Sequence, residues 1–420
     1  LRVEMLRAVF IALGICLCLG VVSCERVRYD NYQVFKVTPE NIEHLDILRS
    51  LDGSSDSLIF LEAAEVLNKD VHVVVAPHKV ADFTQVLNQN GLFSEVVEKD
   101  LQQHLNTELN IRPRAVSEYG WTKYYPLEET YKWLRSLADK YPGIVEVIVA
   151  GQTYEGREIL GVKISYGSGR KGIFIEGGIH AREWISPATV TYIINQLLTS
   201  NDPAVRTTAE KYDWYILPHV NPDGYVYTHT TNRLWRKTRS PNGLCYGTDP
   251  NRNWDFHWNE IGASSQPCSE TYAGKAAFSE IETRTLSNYI KSLKGKLNIY
   301  LSFHSYSQLL LFPYGHTKEH TPNHNDLQQI GDVAAKALAK RYGTKYVVGN
   351  IYEAIYPASG ASIDWAYALV DVPLTYTYEL RPKNAWNGFV LPPEQIKPTG
   401  EETVDSLVHI NSIGFFLHRL

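Results

Sequence analysis

The stretch "FIEGGIHAREWISPAT", residues 174–189, decides the fold class that we expect for this chain. It begins with an apolar run of the kind found in buried strands, and two glycines end that run. Ser186 and Pro187 are typical of a helix N-cap followed by a first-turn proline. His180 and Glu183 fall in the turn between this strand and this helix. In open α/β sheets, ligands bind beyond the carboxyl ends of the strands, which is where this turn lies.

His180 and Glu183 are three positions apart, a spacing that suits a metal site. An isolated H-x-x-E pair is weak evidence, because such pairs also occur by chance on ordinary loops. A catalytic zinc site needs about three protein ligands and one open position, so a third donor is required. His304 in "NIYLSFHSYSQ" is a candidate because it closes a second apolar strand at the same rim of the sheet. The alternative is a histidine that packs in the core.

The rest of the chain divides into two units. From residue 115 onward, helical segments such as "PLEETYKWLRSLADKY" alternate with strand-like segments such as "GIVEVIVAG", "DWYILPHV" and "LTYTYEL". This alternation predicts an α/β domain with a mostly parallel or mixed central sheet flanked by helices. Residues 29–100 instead follow the order β-α-β-β-α-β, which predicts a small α+β unit of ferredoxin-like type. That unit contains no cluster of catalytic residue types, so we expect its role to lie outside the chemistry.

A polar helical stretch, "DLQQHLNTELN", and the segment "IRPRAVSEYG" join the two units. Pro113 hinders a trypsin-like protease at Arg112, whereas the bond between Arg114 and Ala115 is open. Proteolytic nicking concentrates in exposed linkers, so we expect a processing site after Arg114. The alternative is an interdomain linker that is not cut.

The composition suits a globular protein of about two or three domains: of 420 residues, 44% are hydrophobic and 21% charged, and the formal net charge is −5. This mild acidity gives no indication of nucleic-acid binding. Met5 is followed by an apolar run from Ala8 to Val22, which predicts a secretory signal peptide over residues 1–24. On this interpretation the first four residues precede the true start. The run is too short for a transmembrane helix, so we expect an exported protein that does not span a membrane.

Two cysteines, Cys245 and Cys268, lie outside the predicted signal peptide. In an oxidising compartment two cysteines most simply form a disulfide. The alternative is a pair of zinc ligands, although no C-x-x-C spacing accompanies them.

The chain resembles, along its whole length, the zinc metallocarboxypeptidases of the pancreatic A/B type. The resemblance rests on seven motifs in one order, "GGIHAREWISPAT", "NPDGY", "LWRKTR", "DPNRNWD", "LSFHSYSQLLLFPYG", "IYPASGASIDWAYA" and "YTYELR". It implies a secreted enzyme that removes the C-terminal residue of peptides and is made as an inactive proenzyme. The implied domains are a signal peptide (1–24), an activation propeptide (25–114) and a zinc-dependent catalytic domain (115–420).

The resemblance also assigns the catalytic residues. His180, Glu183 and His304 match the family's zinc ligands, and Glu379 in "YTYELR" matches its general base and acid. The chemistry agrees, because zinc lowers the pKa of a bound water towards 7 and a nearby carboxylate can carry its proton to the leaving amine. For Glu379 the alternative is a strand-end carboxylate that pairs with Arg381.

Arg236 in "LWRKTR" matches the residue that stabilises the developing oxyanion. We expect its neighbours Lys237 and Arg239 to form a solvated charged face. Asp249 matches a carboxylate that orients His180.

The free carboxylate of a substrate calls for a guanidinium fork, and Asn251 and Arg252 in "DPNRNWD" match that anchor. Tyr356 matches the mobile hydroxyl that closes over the substrate, and Arg182 matches a secondary contact. Tyr306 and Phe389 match residues that line neighbouring subsites. From the sequence alone, these two aromatic residues could equally belong to the core.

Ile363 in "ASGASIDW" occupies the position that decides the subtype in this family. An isoleucine there implies a preference for apolar or aromatic C-terminal residues, and the residues that match other pocket positions are Ile351, Ile355, Ala358 and Thr377. If the register were shifted by one, Asp364 would be the pocket residue and Lys or Arg would be preferred.

One rival of a different class is a zinc-binding homologue that only binds peptide C-termini, although Glu379 and Arg236 are both present. An endopeptidase is disfavoured because H-E-x-x-H is absent and a carboxylate anchor would face an internal peptide bond unpaired. The expected partners are peptide or protein C-termini and a trypsin-like activating protease, with one zinc ion per chain and a monomeric state.

Overall fold

The computed structural model describes residues 26–109, 118–383 and 388–417. The predicted signal peptide (1–24) and the expected cut between Arg114 and Ala115 lie outside these residues. None of the helices within these ranges combines the length and the apolar character that crossing a bilayer requires.

The N-terminal unit has the predicted β-α-β-β-α-β order, and its four strands form an antiparallel sheet in the order β2-β3-β1-β4. The side chain of Asn41 begins the first helix by accepting a hydrogen bond from the backbone N–H of His44. A third helix follows the last strand. The elements are β1 (Gln33–Thr38), α1 (Ile42–Leu51), β2 (Leu58–Phe60), β3 (Val71–Val75), α2 (Val80–Gln89), β4 (Phe93–Glu98) and α3 (Leu101–Leu109).

The second unit is built on an eight-stranded sheet in the order β13-β12-β14-β11-β7-β8-β6-β5. The four middle strands are parallel, and antiparallel pairs lie towards both edges, so the predicted mixed sheet is confirmed. The strands are β5 (Val145–Gln152), β6 (Glu158–Ile164), β7 (Gly172–Gly177), β8 (Asp213–Leu217), β11 (Leu297–Ser305), β12 (Leu309–Phe312), β13 (Val347–Asn350) and β14 (Leu374–Leu380). A separate hairpin consists of β9 (Pro241–Asn242) and β10 (Cys245–Tyr246).

Helices cover both faces of this sheet, which is why every residue of β7 is buried. The helices are α4 (Leu127–Lys140), α5 (Ile185–Thr199), α6 (Pro203–Lys211), α7 (Pro222–Thr230), α8 (Ile281–Ser292), α9 (His324–Tyr342), α10 (Ile351–Ala354), α11 (Ser362–Val370) and α12 (Ile396–Leu417). Ile175 and Leu301 point to a core shared with α5, α9 and α12. Phe174 and Tyr300 point to the opposite face, where they pack with Trp365 of α11.

The strand register brings polar residues together at one edge of the sheet. Parallel pairing places Glu176 of β7 beside Ser302 of β11, and His304 of β11 beside Glu379 of β14. Because parallel strands end at the same edge, the residues that follow β7 and β11 meet there.

The quoted turn differs from the prediction in one detail, because Ser186 is not the N-cap of α5. The helix begins at Ile185, and the Ser186 hydroxyl is buried between two strands. It donates to the carbonyl of Phe303 at 2.6 Å and accepts from the N–H of Gly178 at 2.9 Å. This hydroxyl therefore ties the end of β7 to β11.

The N-terminal unit packs against the carboxyl edge of the large sheet. Leu61, Val74 and Leu105 belong to one buried apolar cluster with Tyr306 and Phe389 of the second unit. The cleft beyond the strand ends is thus partly covered by the first unit.

Candidate metal centre and active site

Three buried side chains, those of His180, Glu183 and His304, face one another at the carboxyl edge of the sheet. The Nδ1 atom of His180 lies 2.7 Å from Oε1 of Glu183 and 3.1 Å from Nδ1 of His304. The other carboxylate oxygen of Glu183 lies 3.2 Å from Nδ1 of His304. Gly178 starts the turn with φ +64, a backbone conformation that favours glycine.

The donor atoms fit a zinc ion. Nε2 of His180 lies 3.1 Å from Oδ1 of Asp249, a contact that places the imidazole proton on Nε2 and leaves a lone pair on Nδ1. Lone pairs of two imidazoles and one carboxylate that converge in this way repel one another unless a cation lies between them. Around a tetrahedral zinc, bonds of about 2.0 to 2.1 Å set the donor atoms roughly 3.3 Å apart. The separations of 3.1 and 3.2 Å are close to this value, and the third, 2.7 Å, is shorter.

Arg236 joins this centre through Asp249. Its terminal nitrogen donates to Oδ2 of Asp249 at 2.8 Å, and the other terminal nitrogen lies 3.9 Å from Glu183. Burial alone would raise the pKa of Asp249, but the charges of Arg236 and His180 lower it well below its usual value. Asp249 therefore remains a charged acceptor that holds both side chains in place.

Glu379 lines the same cleft, a cavity of about 550 Å³ that also reaches His180, Glu183 and Arg236. Its side chain is partly open to the cavity. The surrounding protein nevertheless withholds bulk water, and this desolvation raises the pKa of Glu379 to about 8 against the opposing charge of His304. A bound zinc ion would lower this pKa again. Among the described residues, Glu379 has neither a hydrogen bond nor an ion pair, and Arg381 pairs with Glu402 instead.

Arg252 has the free donor that an anion site requires. Its Nε donates to the carbonyl of Gly262 at 2.7 Å and one terminal nitrogen to the carbonyl of Asn251 at 2.9 Å. The second terminal nitrogen is buried and has no partner within the described part of the chain. The Tyr356 ring lies 5.8 Å from this guanidinium. A carboxylate between these groups would satisfy the orphaned donor.

Ile363 and Asp364 point to different surroundings. Ile363 is 1% exposed and lies in an apolar cluster with Leu311, Ile351, Ala358 and Ala361, against which Ile355 and Tyr356 also pack. Asp364 accepts hydrogen bonds from the N–H of Gly315 at 2.9 Å and from His316 at 3.1 Å. The apolar cluster therefore contains Ile363, whereas Asp364 points away from it. Thr377 is buried in β14.

Arg182, Tyr306 and Phe389 contact the N-terminal unit. Arg182 donates to the carbonyls of Phe60 at 3.4 Å and Leu61 at 3.2 Å, and its guanidinium lies 4.3 Å from the centre of the Phe389 ring. The rings of Tyr306 and Phe389 are 4.9 Å apart. Both aromatic residues are thus buried at the junction of the two units.

The N-terminal unit also contributes contacts that the sequence motifs did not indicate. The Tyr306 hydroxyl bonds the carboxylate of Glu62. The ammonium of Lys69 donates to the carbonyl of Ile355 at 2.9 Å and lies 5.5 Å from the Tyr356 ring. These contacts join distant parts of the chain, so no local pattern could reveal them.

A buried ion pair also joins the two units. Arg233 makes two hydrogen bonds to the carboxylate of Glu108 in α3, at 2.6 and 2.7 Å. The same guanidinium donates to the carbonyls of Arg182 and Phe389 and stacks 3.8 Å from Trp184. Arg233 therefore depends on Glu108 for its only carboxylate partner among the described residues.

The expectation of a solvated face at Lys237 and Arg239 was wrong. Lys237 is 3% exposed, and its ammonium donates to the carbonyls of Pro267 and Ser269. Arg239 stacks over Tyr227, with its guanidinium 3.6 Å from the ring centre. Cys245 and Cys268 form the predicted disulfide, with their Cα atoms 5.3 Å apart.

Comparison with known proteins finds similarity along both units. A family model described as "Zinc carboxypeptidase" matches residues 130–406, and one described as "Carboxypeptidase activation peptide" matches residues 35–108. Zinc carboxypeptidase A 1 of Anopheles gambiae is 56% identical over 399 residues, which cover 94% of this chain and 92% of the relative. Zinc carboxypeptidase A 1 of Drosophila melanogaster is 54% identical over 410 residues, with 94% and 95% covered. The crystal structure of carboxypeptidase A from Helicoverpa armigera matches with a TM-score of 0.82 at 28% identity, with 93% of this chain and 99% of that one covered.

Proposed function

The chain belongs to the zinc carboxypeptidase family and is a metallocarboxypeptidase, for which we propose a preference for apolar or aromatic C-terminal residues. The observation that carries this proposal is the apolar cluster around Ile363, together with the orientation of Asp364 towards Gly315 and His316. A basic preference would require an acidic group at the pocket.

The energetics favour the same side chains. A Lys or Arg side chain buried against Ile363 would lose its hydration without gaining a charged partner. A Phe, Tyr or Leu side chain gains about 1.5 to 3 kcal/mol on full burial, which is roughly a tenfold to hundredfold preference over a small residue.

The catalytic roles that we propose follow from the donor set and its neighbours. His180, Glu183 and His304 would hold the zinc ion, which when bound lowers the pKa of a coordinated water and polarises the scissile carbonyl. Glu379 accepts the proton of the attacking water and delivers it to the leaving amine, because among the described carboxylates of the cleft it is the one with neither a hydrogen bond nor an ion pair. The Arg236 guanidinium stabilises the negative charge that develops on the carbonyl oxygen.

Arg252, Asn251 and Tyr356 are proposed to bind the substrate's C-terminal carboxylate. The unpartnered terminal nitrogen of Arg252 supports this role, since a buried donor is costly to leave unpaired. An internal peptide bond brings no carboxylate to this position, which accounts for cleavage at chain ends only. Arg182, Tyr306 and Phe389 would contact residues further along the peptide once the N-terminal unit has left.

The domain limits and the cellular setting are part of the same proposal. We take residues 1–24 as a secretory signal, 25–114 as the activation propeptide and 115–420 as the catalytic domain. A trypsin-like protease would cut after Arg114, and the substrates would be extracellular peptides or proteins met by a secreted, monomeric enzyme with one zinc ion. The match of an activation-peptide model to residues 35–108 supports the proenzyme form.

A pair of peptides that differ only in their last residue tests the specificity. We expect the activated enzyme to show a higher kcat/KM for a peptide ending in Phe than for one ending in Arg. The Ile363→Asp variant should shift this ratio towards Arg, because it places a carboxylate against the substrate side chain. A native preference for Arg would refute the proposal, and zinc content measured in both proteins shows whether the variant keeps its metal centre.

A further inference from the structure

Glu176 is a fully buried carboxylate that belongs to none of the groups described above. It lies in the middle of the large sheet, on β7, and is 0% exposed. Its Oε1 accepts hydrogen bonds from the hydroxyls of Ser302 at 2.8 Å and Ser362 at 2.7 Å. No Lys or Arg forms an ion pair with it within the described ranges. Burying a carboxylate without a cation is costly, so this position calls for a physical reason.

The two serines belong to different elements, one to the sheet and one to a helix. Ser302 lies on the neighbouring strand β11, directly beside Glu176 in the register, and is fixed there by backbone pairing on both sides. Ser362 is the first residue of α11 and immediately precedes Ile363. Of the two hydrogen bonds, only the one to Ser362 therefore joins the sheet to the segment that carries Ile363 into the apolar cluster.

Ser362 also orients the proposed carboxylate anchor. Its backbone N–H donates to Oδ1 of Asn251 at 3.0 Å. A side-chain amide has one acceptor end and one donor end, so this bond leaves the nitrogen of Asn251 for the substrate. The chain of hydrogen bonds from Glu176 through Ser362 thus ends at a group that is proposed to bind the substrate carboxylate.

The loop before Ser362 is packed closely against the same anchor. Gly360 has φ +69, and a Cβ atom there would lie 2.4 Å from the carbonyl oxygen of Arg252. The N–H of Trp254 donates to the carbonyl of Gly360 at 3.0 Å. A shift of Ser362 would therefore displace Ile363 and the proposed anchor together.

We infer that Glu176 is a positioning residue that holds Ser362 in place. Through Ser362 it also holds Ile363 and the Asn251 amide in the geometry that binds the substrate's last residue. This inference rests on the function proposed above for Asn251 and Ile363. Contacts to the C-terminal residue are made in the ground state and the transition state alike. Their loss should consequently raise KM and leave kcat nearly unchanged.

Ser362→Ala and Ser302→Ala form a matched pair of variants. Each removes one hydroxyl donor to the same oxygen, and each serine is 1% exposed. For a Phe-terminated peptide we expect Ser362→Ala to raise KM about five- to tenfold, as suits the loss of one buried hydrogen bond, with kcat within about twofold. Ser302→Ala should leave both constants within about twofold of the native values.

Two variants of Glu176 itself complete the test. Glu176→Gln keeps an oxygen that can accept from both hydroxyls and should bind substrate nearly as the native enzyme does. Glu176→Leu removes the acceptor and should reproduce or exceed the KM increase of Ser362→Ala. If Glu176→Leu does not fold, the serine pair decides alone. Equal effects of the two serine variants, or a loss confined to kcat, would overturn the inference.

Failure of this inference is separable from failure of the proposed specificity. A native enzyme that prefers Arg-terminated peptides would refute the apolar preference, and the serine pair would then be compared on the preferred peptide. An unchanged KM in Ser362→Ala on that peptide would refute the positioning role independently.

Discussion

Glu379 and Glu183 are two carboxylates of one cleft, and their different surroundings shift their pKa values in opposite directions. Glu183 faces two imidazoles, and although burial opposes it, their charges lower its pKa. Glu379 forms no hydrogen bond with a side chain among the described residues, and burial raises its pKa to about 8 against the opposing charge of His304. Neighbouring acids with pKa values pushed apart support the proposed roles of Glu183 as a metal ligand and of Glu379 as the proton carrier.

The Glu379→Gln variant should therefore lose turnover and keep its metal. The amide has the shape of the carboxylate but cannot accept the proton, so we expect kcat to fall by about 10² to 10⁴. Zinc content by elemental analysis and the affinity for a non-cleaved peptide should stay near the native values. A normal kcat with an altered KM would assign Glu379 to substrate binding instead.

Arg236→Ala should also reduce kcat, because this one side chain has two proposed roles. The guanidinium is the proposed partner of the oxyanion, a role that costs about 10² to 10³ when a donor is removed. It also holds Asp249, which orients His180. Measuring zinc affinity beside kcat separates the two, because only the second role involves the metal.

At the scale of single elements, the end of β2 and the segment that follows it cover the cleft. Phe60 and Leu61 accept from Arg182, and Lys69 donates to the carbonyl of Ile355, directly before Tyr356. The hydroxyl that is proposed to close over the substrate is thus next to a bond that the N-terminal unit makes.

Lys69→Met should loosen this contact. The expected result is a rise of about two- to fivefold in the hydrolysis of a short Phe-terminated peptide by the uncut protein, since one partly exposed hydrogen bond is lost. Lys79→Met is a suitable control, because Lys79 pairs with Asp82 within its own unit. Equal rates in the two variants would contradict the assigned role of Lys69.

The elements themselves were largely readable from the sequence. Apolar runs ended by glycines gave β7 and its turn, and the β-α-β-β-α-β order of the first unit was found as predicted. Ser186 was misassigned as an N-cap because its hydroxyl bonds Phe303, more than one hundred positions away in the chain. Lys237 was misassigned for the same reason, since the carbonyls that bury it come from a distant loop.

In the candidate site, too, local motifs could be read from the sequence and contacts between distant residues could not. The proposed metal donors, Glu379 and the proposed Arg252 anchor lie in local motifs, so a resemblance could predict them. Glu62, Lys69 and Glu108 act across the junction of two units, and such contacts leave no periodicity or spacing in the sequence. Glu176 lies within a run of strand residues and is distinguished only by its charge.

At the scale of the whole molecule, the two units meet at a contact that we expect to depend on pH. Asp52 accepts from the hydroxyl of Ser269 and faces Glu270 and Lys237. Burial raises the pKa of Asp52 from 3.8 to about 6. The docked state therefore favours the protonated acid, so this contribution to docking is fully present below about pH 3.8 and is lost as the pH rises through about 6.

We accordingly expect the cut N-terminal unit to dissociate more readily at pH 7 than at pH 5. Size-exclusion chromatography of the nicked protein at the two pH values measures the fraction that stays bound. In Asp52→Asn the difference should shrink, because the amide does not titrate. A native protein whose retained fraction grows with pH would show that another group dominates.

We expect the ion pair between Glu108 and Arg233 to delay activation after the proposed cut. The proposed cut after Arg114 would leave Glu108 on the N-terminal fragment and would not itself break its pair with Arg233. Breaking a buried pair costs about 3 to 5 kcal/mol, so Glu108→Gln should speed release roughly a hundredfold or more. In the native protein, activity should then appear after a lag that more protease cannot shorten. The lag would be set by the rate at which the cut fragment dissociates, and so by the molecule itself.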